Sequence, residues 1–313
     1  MSGKTGIQWT ASDDGTPGYA WNPVVGCTRV SSGCDHCYAF QLHDQRHIAW
    51  KRGRWDSAPA QYRQPFSRVQ LMPERLSDPL HWRKPRRVFV NSMSDLFHES
   101  VPDAFIEQVF GVMAKTPQHT YQILTKRPER MLNWMRQRTN AHALRMLGER
   151  EYMQQWPLPN VWLGVSVEDQ AAADERIPLL LQTPAAVRFL SCEPLLELVN
   201  IEPWLGLEPL VPVCPWDAQE YERVEPSGLS WVIIGGESGP HARPMHNEWA
   251  RYLVDQCRAA GVAPFVKQLG TVAAKEFNLH DRHGGDMSEW TDKRLVGLDV
   301  REFPTAGYAA VAP

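Results

Sequence analysis

Three cysteines stand close together near the start of the chain, spaced C-x6-C-x2-C at Cys27, Cys34 and Cys37. Thiolates at such spacing hold metal, either zinc with four protein ligands or an iron–sulfur cluster. A cluster held by three thiolates keeps one iron open for a further ligand, whereas zinc would need a fourth protein ligand. We favour the cluster because no second C-x2-C pair follows, but zinc remains an open alternative. The candidates for its fourth ligand are a distant cysteine, His36, His43 and His47.

Polar or ionisable side chains follow nearly every short apolar run of the chain. Because active sites of parallel βα folds lie beyond the carboxyl ends of the strands, we expect these side chains to share one cavity with the three thiolates. Helix N-capping is the alternative use of such residues, and it is the better explanation for Glu168 or Ser94 taken alone. The set comprises Asn91, Ser92, Ser94, Asp95, Thr125, Lys126, Arg127, Ser166, Glu168, Ser191, Cys192, Glu193, Gly235, Gly236, Glu237, Ser238, Lys267 and Gln268.

The elements that must position these side chains alternate between strands and helices. Apolar, β-branched runs predict strands buried on both faces at 20–26, 86–92, 120–126, 160–166, 186–192, 230–236 and 263–269. Helical patterns lie between most of them, at 38–50, 102–115, 128–138 and 168–181, and from Asn247, which is placed to cap its helix.

This alternation predicts an α/β fold, a partial or complete (β/α) barrel of parallel strands, with a doubly wound open sheet as the alternative. We expect one domain over 1–313. Long insertions rich in Pro, Trp and charge are expected at about 51–85, 139–159 and 200–229, and an irregular C-terminal tail at about 272–313.

The composition indicates a globular protein with a large core, because 43% of the 313 residues are hydrophobic and only 22% are charged. The sequence opens with the polar "MSGKTGIQWT", and no run approaches the roughly 18 apolar residues of a membrane span. We therefore expect a soluble, cytoplasmic protein without a membrane partner. In that reducing setting, six cysteines indicate metal binding or buried thiols, not disulfides.

Basic residues are concentrated in two blocks, although the whole chain has a net charge of only −3. Residues 41–90 contain 11 Lys/Arg against 4 Asp/Glu, and residues 126–145 contain 6 against 1. Basic groups interleaved with aromatic rings are typical of a nucleic-acid groove, and an Arg-rich solvated surface is the alternative. The aromatic residues of the first block are Trp50, Trp55, Tyr62, Phe66 and Trp82.

A string of motifs along the chain resembles the three-Cys-motif phage-type protein family, which occurs in bacteria and phages. That family is similar to radical S-adenosylmethionine (SAM) enzymes, with spore photoproduct lyase as a DNA-acting relative. The resemblance covers nearly the whole chain, from about Ile7 to the tail "GGDMSEW…REFP". Its motifs are "IQWT…WNPVVGCTRVSSGCDHCYA", "VFVNSMSDLFH", "LTKRPERM", "VWLGVSVED", "RFLSCEPLL", "WVIIGGESGP.ARPM" and "FVKQLG".

The resemblance implies a TIM-barrel-like partial barrel in which each of the three cysteines ligates one iron of a [4Fe–4S] cluster. S-adenosyl-L-methionine would bind the fourth iron, and one electron from a donor such as flavodoxin or ferredoxin would release a 5′-deoxyadenosyl radical. The implied function is repair of a DNA lesion or modification of a base. The alternatives are a non-catalytic Fe–S or zinc-binding factor, and a radical enzyme acting on a small molecule or peptide.

Three departures from the usual radical SAM pattern affect the expected contacts. The first cysteine interval is three residues longer than the usual C-x3-C, and the aromatic Tyr38 follows the last cysteine instead of preceding it. The Gly-Gly-Glu that normally follows the second strand occurs late, at 235–237. We therefore expect Ser92, Ser94 and Asp95 to take its place beside SAM.

The remaining strand-end residues receive roles from the same resemblance. Lys126 or Arg127 is expected to bind the SAM carboxylate or a phosphate, Glu168 the ribose hydroxyls, and Ser166 and Tyr38 to line the cofactor site. Cys192 is a candidate hydrogen-atom donor, with a small buried residue as the alternative. Cys214 and Cys257 are expected to be structural. The substrate side is expected to consist of Glu193, Glu237, Arg243 and Lys267.

Overall fold

The computed structural model describes residues 2–12, 15–139, 156–206 and 228–304. Within these residues the chain forms ten strands and six α-helices. The strands are β1 (Gly3–Lys4), β2 (Tyr19–Trp21), β3 (Val24–Val25), β4 (Gln70–Leu71), β5 (Arg87–Val90), β6 (Thr120–Thr125), β7 (Val161–Ser166), β8 (Val187–Cys192), β9 (Trp231–Gly235) and β10 (Ala263–Gln268). The helices are α1 (Tyr38–Lys51), α2 (Asp103–Ala114), α3 (Pro128–Thr139), α4 (Gln170–Leu181), α5 (Asn247–Ala259) and α6 (Thr271–Glu276).

Eight of the strands form one mostly parallel sheet in the order β1-β2-β5-β6-β7-β8-β9-β10. Every predicted apolar run contributes a strand, and β2 and β5 to β10 run parallel to one another. The strand order follows the chain without the reversal that defines a doubly wound sheet, so that alternative is not observed. The sheet is not closed, because its two ends are β10 and the short antiparallel β1, which was not predicted.

The sheet curves around the side chain of Trp9. Its ring centroid lies 4.6 Å from that of Phe89 on β5 and 6.2 Å from that of Trp231 on β9. Four strand spacings separate β5 from β9, which would be about 19 Å in a flat sheet. One ring contacts both strands only if the sheet bends round it. The inner core so formed contains Trp9, Phe89, Trp162, Val187, Phe189, Trp231, Ile233 and Phe265.

The larger hydrophobic core lies on the other face of the sheet, where α2 to α5 supply buried side chains. The Ile106, Val109 and Met113 side chains of α2 are fully buried there, as the apolar stripe of this segment predicts. Helix α4 begins at Asp169, whose carboxylate accepts a hydrogen bond from the backbone N–H of Ala172. The longest described helix, α1, has 14 residues, and none of the described helices has the length and apolar character to cross a bilayer.

Helix α1 packs against the first insertion through its histidines. The ring of His43 donates to the Gln64 carbonyl at 2.9 Å, and that of His47 donates to the Tyr62 carbonyl at 2.8 Å. Strand β4 of this insertion pairs with β3, an antiparallel ribbon that the sequence did not predict. Short 3₁₀ turns occupy much of the rest, at Ala60–Arg63, Pro73–Arg75 and Asp78–His81.

The remaining predicted irregular segments are only partly described. Most of the insertions at 139–159 and 200–229 lies outside the described residues, together with Cys214 and residues 305–313. Within the tail, which we expected to be irregular, the chain forms α6 and the 3₁₀ turns Met287–Glu289 and Lys293–Leu295. The predicted cap at Asn247 is wrong by one position, because His246 precedes the first turn of α5 in an extended conformation.

Candidate functional site

A cavity of about 390 Å³ opens at the carboxyl ends of the parallel strands. Its floor includes Ile7 and Trp9, below which lies the inner core. The expected convergence of strand-end residues is observed, since all but three of the residues with an assigned role at the site (Glu168, Cys192 and Arg243) line this cavity. Those that line it are Cys27, Cys34, Cys37, Tyr38, Ser92, Ser94, Asp95, Lys126, Arg127, Ser166, Glu193, Glu237 and Lys267.

Close backbone packing places Cys27 at the edge of the cavity. Gly26 has a φ of +99°, and a Cβ on it would lie 2.5 Å from the Arg68 carbonyl oxygen. Only glycine fits this left-handed position, which lets the N–H of Cys27 donate to the Phe66 carbonyl at 2.9 Å. The chain then crosses the mouth in a 3₁₀ turn at Ser32–Cys34 and enters α1 directly after Cys37.

Arg127 joins the Cys27 thiol to the end of β6. Its Nη1 lies 3.7 Å from the Cys27 Sγ and 3.1 Å from the Asp95 carboxylate, while Nη2 donates to the Thr28 hydroxyl at 2.9 Å. Burial and the Asp95 carboxylate raise the pKa of Cys27 to about 12, against the opposing effect of Arg127. Arg127 is therefore engaged in holding the cysteine loop.

The Cys34 thiol lies in different surroundings. Its side chain is buried, and the Ser31 hydroxyl oxygen lies 3.9 Å from its Sγ. Burial acts to raise the pKa of this thiol, but the Lys126 ammonium and hydrogen bonds from Val30 and Ser31 outweigh that effect and lower the pKa. This side of the cavity therefore favours a negatively charged sulfur.

None of the nearby histidines is placed as a fourth zinc ligand. His43 and His47 face the first insertion, and the Nδ1 of His36 lies 3.0 Å from the Glu237 carboxylate. Within the described residues, no three or more His, Cys, Asp or Glu side chains converge on one metal position. Thiolates that bind three different irons of a cluster do not need to meet at one metal ion, so this observation bears on zinc and not on a cluster.

The side chains after β5 are bonded within the protein. The Ser94 hydroxyl donates to the Val24 carbonyl at 2.8 Å, and the Ser92 hydroxyl donates to the Asn22 side chain at 3.2 Å. The Asp95 carboxylate accepts hydrogen bonds from Thr125 at 2.8 and 2.9 Å and from the Lys126 N–H at 3.1 Å. The Asp95 carboxylate therefore organises the loops, and its expected contact with SAM finds no support.

Asn91 follows β5 and received no specific role from the sequence. Its side-chain amide nitrogen makes no hydrogen bond within the described residues. Asn91 lines the cavity, has a φ of +63° and is almost fully buried. A left-handed backbone at a buried asparagine is uncommon outside functional sites. The strand-end position was the signal that could have identified it.

Glu168 does not line the cavity and its side chain is fully buried. Its carboxylate pairs with the Lys126 ammonium and, at 2.8 Å, with Arg176. It also accepts a hydrogen bond from the Ser31 hydroxyl at 2.7 Å. The expected contact of Glu168 with ribose hydroxyls is therefore wrong, because the carboxylate is enclosed behind the cysteine loop.

Two ion pairs lie at the carboxyl ends of β8, β9 and β10. The Lys267 ammonium donates to the Glu193 carboxylate at 2.5 Å. Arg243 binds the Glu237 carboxylate through its Nε at 3.0 Å and its Nη2 at 2.6 Å, and the same Nη2 donates to the Ser32 carbonyl at 2.9 Å. These pairs place both signs of charge at the expected substrate side.

The other two thiols that the structure describes, Cys192 and Cys257, lie in the larger hydrophobic core, on the outer face of the sheet. Cys192 is fully buried there and does not line the cavity, so its expected role as a hydrogen-atom donor is wrong. Successive strand residues face opposite sides of a sheet, and Ser191 takes the cavity side. Burial raises the pKa of Cys192 and, to about 12, that of Cys257. Cys257 is structural, as predicted.

Several residues expected to form a nucleic-acid groove are used for packing. Tyr62 and Phe66 are buried against the His43 ring and cannot stack on bases. In the second basic block, Arg130 pairs with Asp103 at 3.0 Å, and Lys126 and Arg127 face the cavity. The basic side chains of the first block that are exposed are Lys51, Arg52, Arg54, Arg63, Arg68, Arg83 and Lys84.

Comparison with known proteins identifies a family and no further relative. Residues 4–298 match the family described as "Protein of unknown function (DUF5131)". Neither the curated proteins nor the solved structures contain a match to this chain. The match spans almost the whole chain, so it includes all three cysteines and every strand of the large sheet except the first residue of β1.

Proposed function

We propose that this chain, which belongs to the DUF5131 family, is an iron–sulfur enzyme of the radical SAM type. Cys27, Cys34 and Cys37 would hold a [4Fe–4S] cluster. The observation that carries the proposal is the position of these three thiols in one cavity at the carboxyl edge of a curved parallel sheet, with the nearby histidines engaged elsewhere. The curvature around Trp9 is the kind that a partial barrel requires.

A cluster with three protein ligands supplies an open iron for S-adenosyl-L-methionine and the electron that releases a 5′-deoxyadenosyl radical. The protein residues exclude water and orient what binds. Ser166 and Ser191 are register partners on β7 and β8, and both line the cavity, so their hydroxyls are placed side by side for a sugar. The Glu193–Lys267 pair offers an acceptor beside a donor for the substrate.

The proposed substrate is a nucleic acid, whose base would be altered or repaired. The exposed arginines and lysines of residues 51–84 support this proposal, since phosphate contacts come from such groups. A base inside a duplex would have to be flipped out to reach a cavity of this depth. A small molecule is the second candidate, because about 390 Å³ is the size of a small-ligand pocket.

Anaerobic purification tests the cluster directly. We expect a brown protein with about four irons and four sulfides per chain, and an EPR signal on reduction that changes when SAM is added. A colourless protein with one zinc would contradict the proposal. Release of 5′-deoxyadenosine by the reduced protein tests the radical step, and its complete absence with an intact cluster would favour a non-catalytic Fe–S factor.

Salt dependence of binding distinguishes the two substrate classes. Binding to single- or double-stranded DNA or RNA should weaken steeply as salt rises, because each phosphate contact releases a counterion. A variant with Arg52, Arg54 and Lys84 changed to Gln should bind more weakly and show a shallower salt slope. Absent or salt-independent binding by the wild-type protein would favour the small molecule.

A further inference from the structure

A buried charged triad lies behind the cysteine loop. The fully buried Glu168 carboxylate stands between Lys126 and Arg176, and Arg176 also donates to the Ser166 carbonyl at 2.9 Å. The triad contains two cations and one anion, so it carries one positive charge in excess. A buried excess charge is costly unless an opposite charge lies nearby. The Lys126 end of the triad is the end that faces the cavity.

Three of the six residues between Cys27 and Cys34 contact the strand ends around this triad. The Ser31 hydroxyl donates to Glu168 at 2.7 Å, and the Ser32 hydroxyl donates to Asp169 at 3.3 Å. Gly33 lies so close that a Cβ would overlap the Glu168 side chain and come within 2.7 Å of the Lys126 Nζ. Glycine is therefore required where the loop meets the triad.

The same three residues lead directly into Cys34. The Cys34 N–H donates to the Ser31 carbonyl at 2.9 Å, and the Ser31 hydroxyl, which binds Glu168, lies 3.9 Å from the Cys34 Sγ. One serine thus connects the buried carboxylate to the thiol. Displacement of Ser31 from Glu168 would move the Cys34 sulfur with it.

We propose that Lys126 and Glu168 are positioning residues for Cys34, and that the long Cys27–Cys34 loop exists to dock on their triad. The effect on a cluster rests on the proposed function, whereas the docking itself does not. Docking fixes the position of the sulfur, and the Lys126 ammonium beside it stabilises the more negative, reduced cluster. This assigns a role to the six-residue interval that cofactor binding alone does not require.

The experiment compares K126M and E168Q with the wild-type protein. Both variants should lose at least half of the iron bound per chain after anaerobic reconstitution. In the cluster that K126M retains, an EPR-monitored dithionite titration should give a more negative midpoint potential, which K126R should restore. The matched control is R188M, since Arg188 is a buried cation at the amino end of β8, away from the carboxyl edge where the cavity lies. It should keep wild-type iron content and potential.

Trypsin cleavage after the exposed Arg29 reports docking in the cluster-free protein. E168Q replaces the carboxylate that binds Ser31 and Lys126 by a neutral amide, so this cleavage should be at least tenfold faster in E168Q but not in R188M. Circular dichroism establishes that each variant is folded. Wild-type iron content, potential and cleavage rate in K126M and E168Q would overturn the inference. If the wild-type protein binds no iron but E168Q is still cleaved faster than the wild-type protein, the proposed function is overturned and the docking of the loop stands.

Discussion

Two consecutive residues after β6, Lys126 and Arg127, lie beside two different thiols. Arg127 reaches the Cys27 sulfur, and Lys126 reaches the Ser31 hydroxyl that lies beside the Cys34 sulfur. Successive residues of an extended chain point in opposite directions, so one strand end can hold both ends of the loop between these cysteines. The end of β6 therefore organises the cysteine loop.

Replacement of a single cysteine should separate the metal site from the fold. We expect C34A to bind less than one iron per chain instead of about four, while its circular dichroism stays unchanged, because the thiol stands at the cavity edge. C257A is the matched control. It removes a fully buried core thiol and should keep its iron but unfold more readily. Full iron content in C34A would exclude Cys34 as a ligand.

The Glu237 carboxylate should stabilise the fold in a pH-dependent manner. Burial acts to raise its pKa, but hydrogen bonds from Arg243 and His36 outweigh it and lower the pKa from 4.5 to about 2. Its contribution is therefore fully present above pH 4.5 and is lost as the pH falls towards 2.

Urea unfolding of the apoprotein at several pH values measures this contribution. E237Q should be less stable than the wild-type protein by roughly 2 kcal/mol at pH 6, and the difference should shrink between pH 4.5 and 2. E248Q, which changes an exposed carboxylate on α5, should show no such trend. A difference between E237Q and wild type that is constant down to pH 2 would contradict the assignment.

For individual residues, the sequence predicted where a side chain lies better than it predicted which groups that side chain contacts. The rule that polar groups gather beyond strand ends identified most of the cavity lining, because it depends only on where strands end. The same rule wrongly placed Cys192 in the cavity, because side chains alternate along β8 and that thiol faces the larger hydrophobic core. It misassigned Glu168 because the Arg176 that encloses this carboxylate comes from one side and the cysteine loop from the other.

Among the elements, the Gly-Gly-Glu segment at the end of β9 allows β9 and β10 to pack closely together. A Cβ on Gly236 would overlap the Leu269 carbonyl group, coming within 2.7 Å of its carbon, whereas one on Gly235 would approach the Glu193 side chain at 3.3 Å. The Gly236 N–H also donates to the Gln268 carbonyl at 3.0 Å. This glycine therefore lets the ends of β9 and β10 approach each other.

Alanine substitutions at the two glycines should differ in their cost. G236A should lower the free energy of unfolding by about 3 kcal/mol, because backbone atoms must move to admit the methyl group. G235A should cost less, since the Glu193 side chain can shift. Thermal unfolding followed by circular dichroism measures both, and equal melting temperatures for the two variants would contradict this explanation.

Long apolar runs predicted the strands and the periodic stripes predicted the helices, because each pattern repeats often enough to be read. The elements that the sequence did not predict are short. Strands β1 and β4 have two residues each, and α6 has six. Such segments contain too few residues for a periodic pattern, and their pairing depends on partners distant in the chain.

On the scale of the whole molecule, the sheet depends on a side chain from outside it. Trp9 fills the concave face and contacts rings of β5, β8 and β9. W9A should destabilise the protein by about 3–5 kcal/mol and lower Tm by at least about 6 °C, because it leaves a cavity in the inner core. W55A, which removes a half-buried indole from the first insertion, should have a smaller effect. Equal losses would show that Trp9 is not the centre of the sheet.

The sequence could not predict whether the sheet closes. Closure depends on the curvature of the sheet and on what fills its concave face, and neither has a signature in one strand. The same limit applies to the basic surface. Side chains of the two basic blocks divide between ion pairs, core packing and solvent, as Arg130, Tyr62 and Lys51 show. Composition alone does not separate these uses.

The inner core, which includes Trp9 and packs against Ile7, bounds the cavity on one side and constrains the order of events in it. The mouth of the cavity, near the exposed Val30 and Tyr38, is then the way in and the way out. When two molecules share such a space, the deeper one arrives first and departs last. Steady-state kinetics should show a compulsory order, and a saturating concentration of the outer molecule should trap the inner one.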